Sequence, residues 1–268
     1  MPQRRTGFGF EFVQSILKRH AIVAFAFLAS CAGLAGQPTA KWTLTFRDEF
    51  TDRELAFPRW EPHDPWGHER NREGQAYVPA AIDVKDGIAR ITARRELARY
   101  DGRQREFTSG IMTTQGSFAQ TYGRFEIRCR AASGKGLESK FWLLPTASGE
   151  TPSIDIYDVV SNESSNALFA NRWGDEKTER SFSGSYQVGN LSDGFHVVAI
   201  EWDENRIVWT VDGKERFRST TGVPHQPMYL AVSLAVGGIT AKYPDQSAPF
   251  PAAFEIDYVR VYQRNDRL

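Results

Sequence analysis

The chain has 268 residues, enough to bury a large core, and this length favours one domain of sandwich or barrel size or two small ones. Its 33 Lys and Arg residues balance its 33 Asp and Glu residues, so no global field would attract nucleic acid or an anionic membrane. We therefore expect no nucleic-acid partner. Aromatic residues make up 13% of the sequence, many in short alternating segments, as is typical of a β-sandwich.

Residues 1–36 have the pattern of an export signal. A basic start precedes the apolar run Ala21–Ala29, which has the length of a signal-peptide core and is too short to cross a bilayer as a mature helix. The run ends in Leu28–Cys31, which resembles a bacterial lipobox with Cys31 as the lipid-bearing residue. The alternative is an ordinary secretory signal cleaved after a small residue such as Ala35. We expect an exported protein, either secreted or lipid-anchored to the cell envelope, with Cys31 as its one link to a membrane.

Cys31 and Cys129 are the only cysteines of the sequence. If Cys31 is lipidated or removed with the signal, Cys129 has no partner, so the fold cannot depend on a disulfide. Cys129 is then predicted to be a small, buried apolar residue.

From Trp42 onward the sequence predicts strands separated by turns. Gly123–Arg130 alternates strictly between apolar and charged residues, which indicates a half-buried strand. Ile207–Val211 runs into Asp212–Gly213, a strong hairpin signal, and Lys214–Arg218 can return antiparallel.

Two further apolar segments, Met228–Val236 and Phe254–Tyr262, are also predicted strands. After residue 36 the sequence has no sustained 3.6-residue period and no internal repeat. The expected architecture is all-β: residues 37–268 form two antiparallel sheets packed face to face in a jelly roll, whose concave face can hold an extended ligand.

Several stretches share their order and spacing with one enzyme family, from about residue 42 to residue 263. They are Asn71–Tyr77, Ser109–Glu126, Phe141–Pro145, Phe195–Asp203, Val211–Gly213, Leu234–Gly238 and Asp257–Tyr262. Together they resemble the family-16 glycoside hydrolases, in particular the bacterial laminarinase and endo-β-1,3(4)-glucanase branch. The resemblance implies a concanavalin-like jelly roll and a polysaccharide ligand of the β-glucan type, and we expect a monomer.

The family's catalytic signature, E-I-D-I-x-E, aligns on Ser153–Asp158. The resemblance implies that position 153 is the nucleophile, that Asp155 tunes it and that Asp158 is the general acid and base. Strand residues two apart share a face, and an extra bulge residue near Ile156 returns Asp158 to the face of Ser153 and Asp155.

This motif departs from the family at both catalytic glutamates. Retaining hydrolysis needs two carboxyl groups about 5–5.5 Å apart. Ser153 offers only a neutral hydroxyl with no adjacent base, and Asp158 is one methylene shorter than glutamate. We favour a polysaccharide-binding protein with hydrolysis lost or much reduced. The alternatives are an active endo-β-glycanase that uses Asp155 or Asp158 in a rearranged mechanism, and a lectin-like protein with no glycan cleft.

Other candidate ligand contacts come from the aligned blocks. The set is Asn71, Glu73 and Tyr77 at the cleft edge, Glu138, Lys140 and Trp142 on one face of a strand, and Arg172 with Trp173. Glu138 stands where the family has a sugar-stacking aromatic, and Arg172 aligns near a family histidine. Trp142 and Trp173 are either sugar-stacking or core residues, and Trp202 and Trp209 are predicted core residues.

The segment Ile239–Ala241 stands where the family has a Trp-containing loop. With the changes at Glu138 and Arg172, this predicts a remodelled cleft for a charged or decorated ligand. Glu49 and Asp257 lie near positions where some relatives hold a structural calcium ion, although ordinary acids at strand ends are the favoured interpretation. We expect no other metal and no cofactor.

Overall fold

Two antiparallel sheets packed face to face form the body of the computed structural model, which describes residues 42–147, 149–161, 166–175 and 177–265. The predicted signal segment, residues 1–36 with Cys31, lies outside the described residues. The all-β jelly-roll prediction is confirmed by this arrangement and by the solved relatives reported below.

The outer sheet has eight strands within the described ranges. In spatial order they are β16 (Lys214–Ser219), β15 (Ile207–Val211), β14 (His196–Trp202), β9 (Gly123–Arg130), β18 (Ala252–Arg264), β4 (Ile88–Ala93) and β3 (Ile82–Lys85), and β1 (Trp42–Asp48) also pairs with β18. Asp212 and Gly213, which join β15 to β16, both have positive φ, as the predicted Asp-Gly hairpin turn requires.

The inner sheet has six strands in the described part of the chain. Their order is β13 (Arg180–Gln187), β12 (Asn166–Trp173), β11 (Ser153–Val160), β10 (Leu137–Pro145), β17 (Met228–Val236) and β8 (Ile111–Thr113). Two short pairs flank the sheets: β2 (Gln75–Tyr77) with β7 (Phe107–Ser109), which is parallel, and β5 (Ala98–Tyr100) with β6 (Arg103–Arg105).

The core lies between the two sheets and follows the period of two along each strand. In β9, Phe125, Ile127 and Cys129 are fully buried, while Arg124, Arg128 and Arg130 on the other face remain partly exposed, as the half-buried strand pattern predicts. Cys129 is a free thiol whose pKa is raised by burial.

The predicted core tryptophans also lie between the sheets. Trp202 and Trp209 are both buried. Trp209 donates a hydrogen bond from Nε1 to the backbone carbonyl of Asp155 at 2.8 Å. This bond joins β15 of the outer sheet to β11 of the inner sheet at the strand that carries the predicted catalytic motif.

Helical structure within the described residues is limited to two short turns. A 3-10 turn spans Pro79–Ala81, and a four-residue helix, α1, spans Gly238–Ala241. None of the described helices is long and apolar enough to cross a membrane.

Candidate functional site: a charged cleft on the inner sheet

A cavity of about 290 Å³ opens on the concave face of the inner sheet. It is bounded by strands β10, β11, β12 and β17 and by the segments around residues 70–77 and 239–240. Among the sequence-predicted site residues, those that line it are Asn71, Glu73, Tyr77, Glu138, Lys140, Trp142, Ser153, Asp155, Asp158 and Arg172.

Strand β11 brings the three motif residues to the cavity through a β-bulge. Tyr157 pairs with Phe141 and Asp155 pairs with Trp142, so Ile156 is an extra residue on β11 with no counterpart on β10. Ile156 and Tyr157 both point into the core. The bulge therefore returns Asp158 to the face of Ser153 and Asp155 although it lies three residues after Asp155.

Strand β10 contributes its even-numbered residues to the same cavity. Glu138, Lys140 and Trp142 line it, whereas Phe141 and Leu143 belong to the core between the sheets. Strict alternation along a regular strand explains this division, because successive side chains point to opposite faces.

Lys140 lies at the centre of the charge arrangement. Its Nζ atom is 3.2 Å from Asp155 Oδ1 and 3.5 Å from Asp158 Oδ2. Arg172 donates a hydrogen bond to the other oxygen of Asp155 and lies 3.9 Å from Glu179. Burial alone would raise the pKa of Asp155, but the Lys140 and Arg172 cations outweigh burial and hold this pKa below its usual range.

Glu138 has the opposite electrostatic environment. Burial and the neighbouring Asp158 carboxylate raise the pKa of Glu138 well above its ordinary value, and a hydrogen bond between the two carboxyl groups adds to the shift. The Lys140 cation lowers the Glu138 pKa but does not reverse the shift. The cleft thus favours the ionised form of Asp155 and the protonated form of Glu138.

Glu73 organises the rim of the cavity. Gln75 Nε2 donates to Glu73 Oε2 at 2.6 Å, and the Tyr77 hydroxyl donates to the same oxygen at 3.2 Å. The Asn71 amide reaches Glu73 Oε1 at 3.4 Å. These contacts place the predicted edge residues in one hydrogen-bonded group at the cavity wall.

The side chain of Trp142 is almost fully buried by its neighbours. It is 5% exposed, lies in an apolar cluster with Leu144 and Tyr229, and has the Lys140 ammonium 5.4 Å from its ring centre. A sugar ring would have to compete with this ammonium for the indole face. The placement therefore favours the packing interpretation of Trp142 over sugar stacking.

Trp173 is the one predicted ligand contact that does not line the cavity. It follows Arg172 on β12 and so points to the opposite face, where its ring lies against Gly222; a Cβ atom on that glycine would come within 2.1 Å of the ring. Asn171, on the same face, donates to the Thr221 and Gly222 carbonyls. The placement favours a packing role for Trp173 and not the sugar contact that we expected.

The acids near the expected calcium position are engaged in ion pairs. Both oxygens of Glu49 accept hydrogen bonds from Arg260 at 2.8 Å, and Asp257 pairs with Arg128. Among the residues that the structure describes, no group of three or more metal-binding side chains is found. Glu49 directly follows β1 and Asp257 lies within β18, so both acids take part in ion pairs of the outer sheet.

Sequence reasoning missed several residues of the cleft. Arg70 lies with its guanidinium carbon 3.4 Å from the ring centre of Trp66 and reaches Glu150 at 3.6 Å. Arg70, Glu150 and Glu179 line the cavity from loops or from the start of a strand. Loop residues carry no periodic signal, so only the fold reveals that they converge here.

Comparison with known proteins places this arrangement in a family. The model of glycosyl hydrolases family 16 matches residues 77–260. Endo-1,3-1,4-β-glycanase ExsH of Rhizobium meliloti is 32% identical over 244 residues, which cover 81% of this chain and 51% of that protein. The chain thus spans about half the length of this relative. A β-glucanase of Rhodothermus marinus is 32% identical over 286 residues, with 94% of this chain and 96% of that protein covered.

Solved structures of similar proteins have the same fold as this chain. The catalytic domain of an endo-1,3-β-glucanase (laminarinase) from Thermotoga petrophila superposes with a TM-score of 0.77 at 28% identity and covers 85% of this chain and 100% of that one. A Glu-to-Ser variant of LamA from Zobellia galactanivorans, in complex with laminaritriose and laminaritetraose, gives a TM-score of 0.74 at 27% identity, with 82% and 99% covered.

Proposed function

Because the chain belongs to glycosyl hydrolase family 16, we propose that its cleft binds a β-glucan-type polysaccharide. We also propose that hydrolysis by the retaining mechanism is lost or much reduced. The observation that carries the proposal is the serine at position 153, where the family motif has its nucleophilic glutamate. Ser153 lines the cavity. A neutral hydroxyl neither attacks an acetal carbon well nor stabilises positive charge on the sugar.

The neighbouring carboxylates do not replace that nucleophile. Asp155 is fully buried and is held by Lys140 and Arg172, so its negative charge is already compensated. One of its oxygens faces the Lys140 ammonium and the other accepts a hydrogen bond from Arg172, so both oxygens are directed at cations. A retaining mechanism would need a second, uncompensated carboxylate about 5–5.5 Å from the acid, across the glycosidic bond.

Binding itself is supported by the shape and chemistry of the cleft. The cavity is lined mainly by charged and polar side chains, which can form hydrogen bonds with sugar hydroxyls, and has a smaller apolar part that includes Tyr77, Leu144 and Leu168. A laminarinase variant with serine in place of a glutamate holds laminaritriose and laminaritetraose. That relative supports the idea that a cleft of this family can bind a glucan with one glutamate replaced by serine.

An active endo-β-glycanase that uses Asp155 or Asp158 is the second candidate. Asp158 keeps a carboxyl group at the family's acid position and lines the cavity. The similar proteins that cover most of this chain carry names of glucan hydrolases. In an inverting version, Ser153 would leave room for a water molecule, and the two carboxyl groups would stand about 6.5–9.5 Å apart.

The test separates binding from cleavage. Purified protein is offered β-1,3-, β-1,4- and mixed-linkage glucans together with galactans and acidic polysaccharides, and bound ligand and new reducing ends are measured separately. We expect binding of at least one β-glucan with few or no new reducing ends. Vigorous hydrolysis that Asp158→Asn abolishes would overturn the proposal in favour of the second candidate.

A matched control is Glu204→Gln, an exposed acid that does not line the cavity. This variant should bind and cleave as the unmodified protein does. Failure of every polysaccharide to bind would contradict both candidate functions.

A further inference from the structure

We infer that Glu138 and Asp158 share one proton in the cleft and that this carboxyl–carboxylate pair determines ligand specificity by accepting hydrogen bonds from the hydroxyl groups of a neutral sugar. The inference deepens the proposed function and depends on it for the identity of the ligand. Its structural half, the shared proton, concerns the protein alone.

The first observation is an unsatisfied oxygen. Asp158 is 4% exposed, and among the described residues no N–H group or hydroxyl donates to its Oδ1 atom, whereas its Oδ2 atom faces Lys140. A buried acceptor without a donor is destabilising, more so when it is charged, so such atoms rarely persist without a partner.

The second observation identifies the missing donor. Glu138 lies two residues before Lys140 on the cavity face of β10, and Lys140 is directly opposite Asp158 on β11. An ionised Glu138 would only repel Asp158. A protonated Glu138 offers an O–H donor, and this one proton satisfies the buried oxygen and removes the repulsion.

The groups around Glu138 favour the protonated state. Asp158 faces it from β11 and Glu73 from the rim, and both disfavour a second negative charge. Lys140 alone opposes them, but its ammonium is shared with Asp155 and Asp158. Ser233 and Ala235 of β17, which also line the cavity, carry no charge.

The pair cannot act as the two carboxyl groups of a standard glycosidase. Carboxyl groups joined by one proton are closer than the 5–5.5 Å of a retaining pair and the 6.5–9.5 Å of an inverting pair. The pair instead presents acceptor oxygens with a single negative charge. Sugar hydroxyls can donate to these oxygens, whereas the carboxylate of an acidic sugar would be repelled.

The structural half is tested on the free protein by infrared difference spectroscopy. We expect the carbonyl band of a protonated carboxylic acid to persist at neutral pH in the unmodified protein and in Glu204→Gln. The same band should disappear in Glu138→Gln. Its absence from the unmodified protein, or its survival in Glu138→Gln, would overturn the shared proton.

The ligand half is tested by titration with laminaritetraose across pH. As pH rises through the titration of Glu138, the second negative charge should separate the pair, and affinity should fall about tenfold or more, the equivalent of one lost charged hydrogen bond. Glu138→Gln keeps a neutral donor and should bind with little pH dependence, while Glu204→Gln should follow the unmodified protein. A pH-independent affinity in the unmodified protein would overturn the specificity role.

The shared proton and the proposed glucan binding can be contradicted independently of each other. A protein that shows the carboxylic acid band but binds no glucan retains the shared proton and contradicts the proposed function. A protein that binds laminaritetraose without the band supports the proposed function and contradicts this inference.

Discussion

At the scale of single residues, the cleft is dominated by one lysine that serves two aspartates. Lys140 contacts Asp155 and Asp158, and both carboxylates are almost fully buried. Removing one partner from a buried ion pair leaves an uncompensated charge, which usually costs far more than the pair itself contributes. Arg172 contacts Asp155 directly and attracts Asp158 only from a longer distance.

We predict that Lys140→Met lowers the free energy of unfolding by about 3 kcal/mol, because it leaves Asp158 without its cation. The matched control is Lys135→Met, which removes an exposed pair with Asp245 whose side chains are 55% and 49% exposed. That change should cost less than about 1 kcal/mol. Urea unfolding of both variants measures the difference, and equal losses would contradict a buried, charge-compensated centre.

The catalytic position permits a second prediction at this scale. If Ser153 is what prevents retaining hydrolysis, Ser153→Glu combined with Asp158→Glu restores two carboxylates at the family's positions. We expect reducing-end release to rise about 10²–10⁴-fold over the unmodified protein, the range that general acid–base catalysis typically supplies.

One control variant completes this experiment. Ser153→Gln with Asp158→Gln adds side chains of similar size without charge and should release no more reducing ends than the unmodified protein. A null result for the glutamate pair, with binding intact, would mean that Glu138, Lys140 and Arg172 have remodelled the subsites beyond the reach of two substitutions.

How much of the site could be predicted from the sequence depends on the kind of element. The period of two correctly places Glu138, Lys140 and Trp142 on one face, because β10 is regular over its whole cavity-facing length. For Trp173 the sequence left sugar stacking and core packing open, because the motif match near Arg172 is short. A short match cannot show which face of β12 carries the Trp173 side chain. In the structure this side chain lies against the segment around Gly222.

At the scale of elements, the short helix α1 forms one rim of the cleft. The Ile239 amide donates to the Asn71 carbonyl at 2.9 Å, which ties α1 to the neighbouring rim segment at residues 70–77. Gly238 has positive φ, and a Cβ atom there would lie 3.2 Å from the same carbonyl, so glycine permits the close approach. Ile239 itself is 68% exposed and lines the cavity.

We predict that Ile239→Trp increases affinity for a β-glucan oligosaccharide by about fivefold to tenfold, because an exposed indole at the rim adds a stacking face worth roughly 1 kcal/mol. Leu97→Trp is the control, since Leu97 is 66% exposed and does not line the cavity. Calorimetric titration compares the two variants. An equal gain in both would indicate nonspecific adsorption to tryptophan and not a rim subsite.

The strands themselves could be predicted more fully than the rim. Gly123–Arg130 and Met228–Val236 form strands with the predicted bounds, and the hairpin at Asp212 has the expected turn. Alternation and turn residues are local signals, so the sequence contains them. The helix α1 is too short to show a 3.6-residue period, so its helical form could not be predicted, although the family match had placed Ile239–Ala241 at the cleft.

At the scale of the whole molecule, the two sheets have different surfaces. The outer face of the outer sheet carries ion pairs between neighbouring strands, such as Arg130 with Glu255 and Arg128 with Asp257. Such pairs contribute little stability but keep an antiparallel sheet soluble on its solvent side. The concave face concentrates its charges around one cavity, so a chain with no net charge still has a strongly polar cleft.

The last prediction concerns where the protein resides. We propose that it is exported and carries a lipid on Cys31, because Leu28–Cys31 resembles a lipobox after a short apolar run. In bacteria that express the full chain, metabolic labelling with a palmitate analogue should mark the unmodified protein and Cys129→Ala equally and should not mark Cys31→Ala. Cys129 is a suitable control because it is buried in the core. Equal labelling of Cys31→Ala would contradict the lipid anchor, and export of an unlabelled protein would favour an ordinary secretory signal.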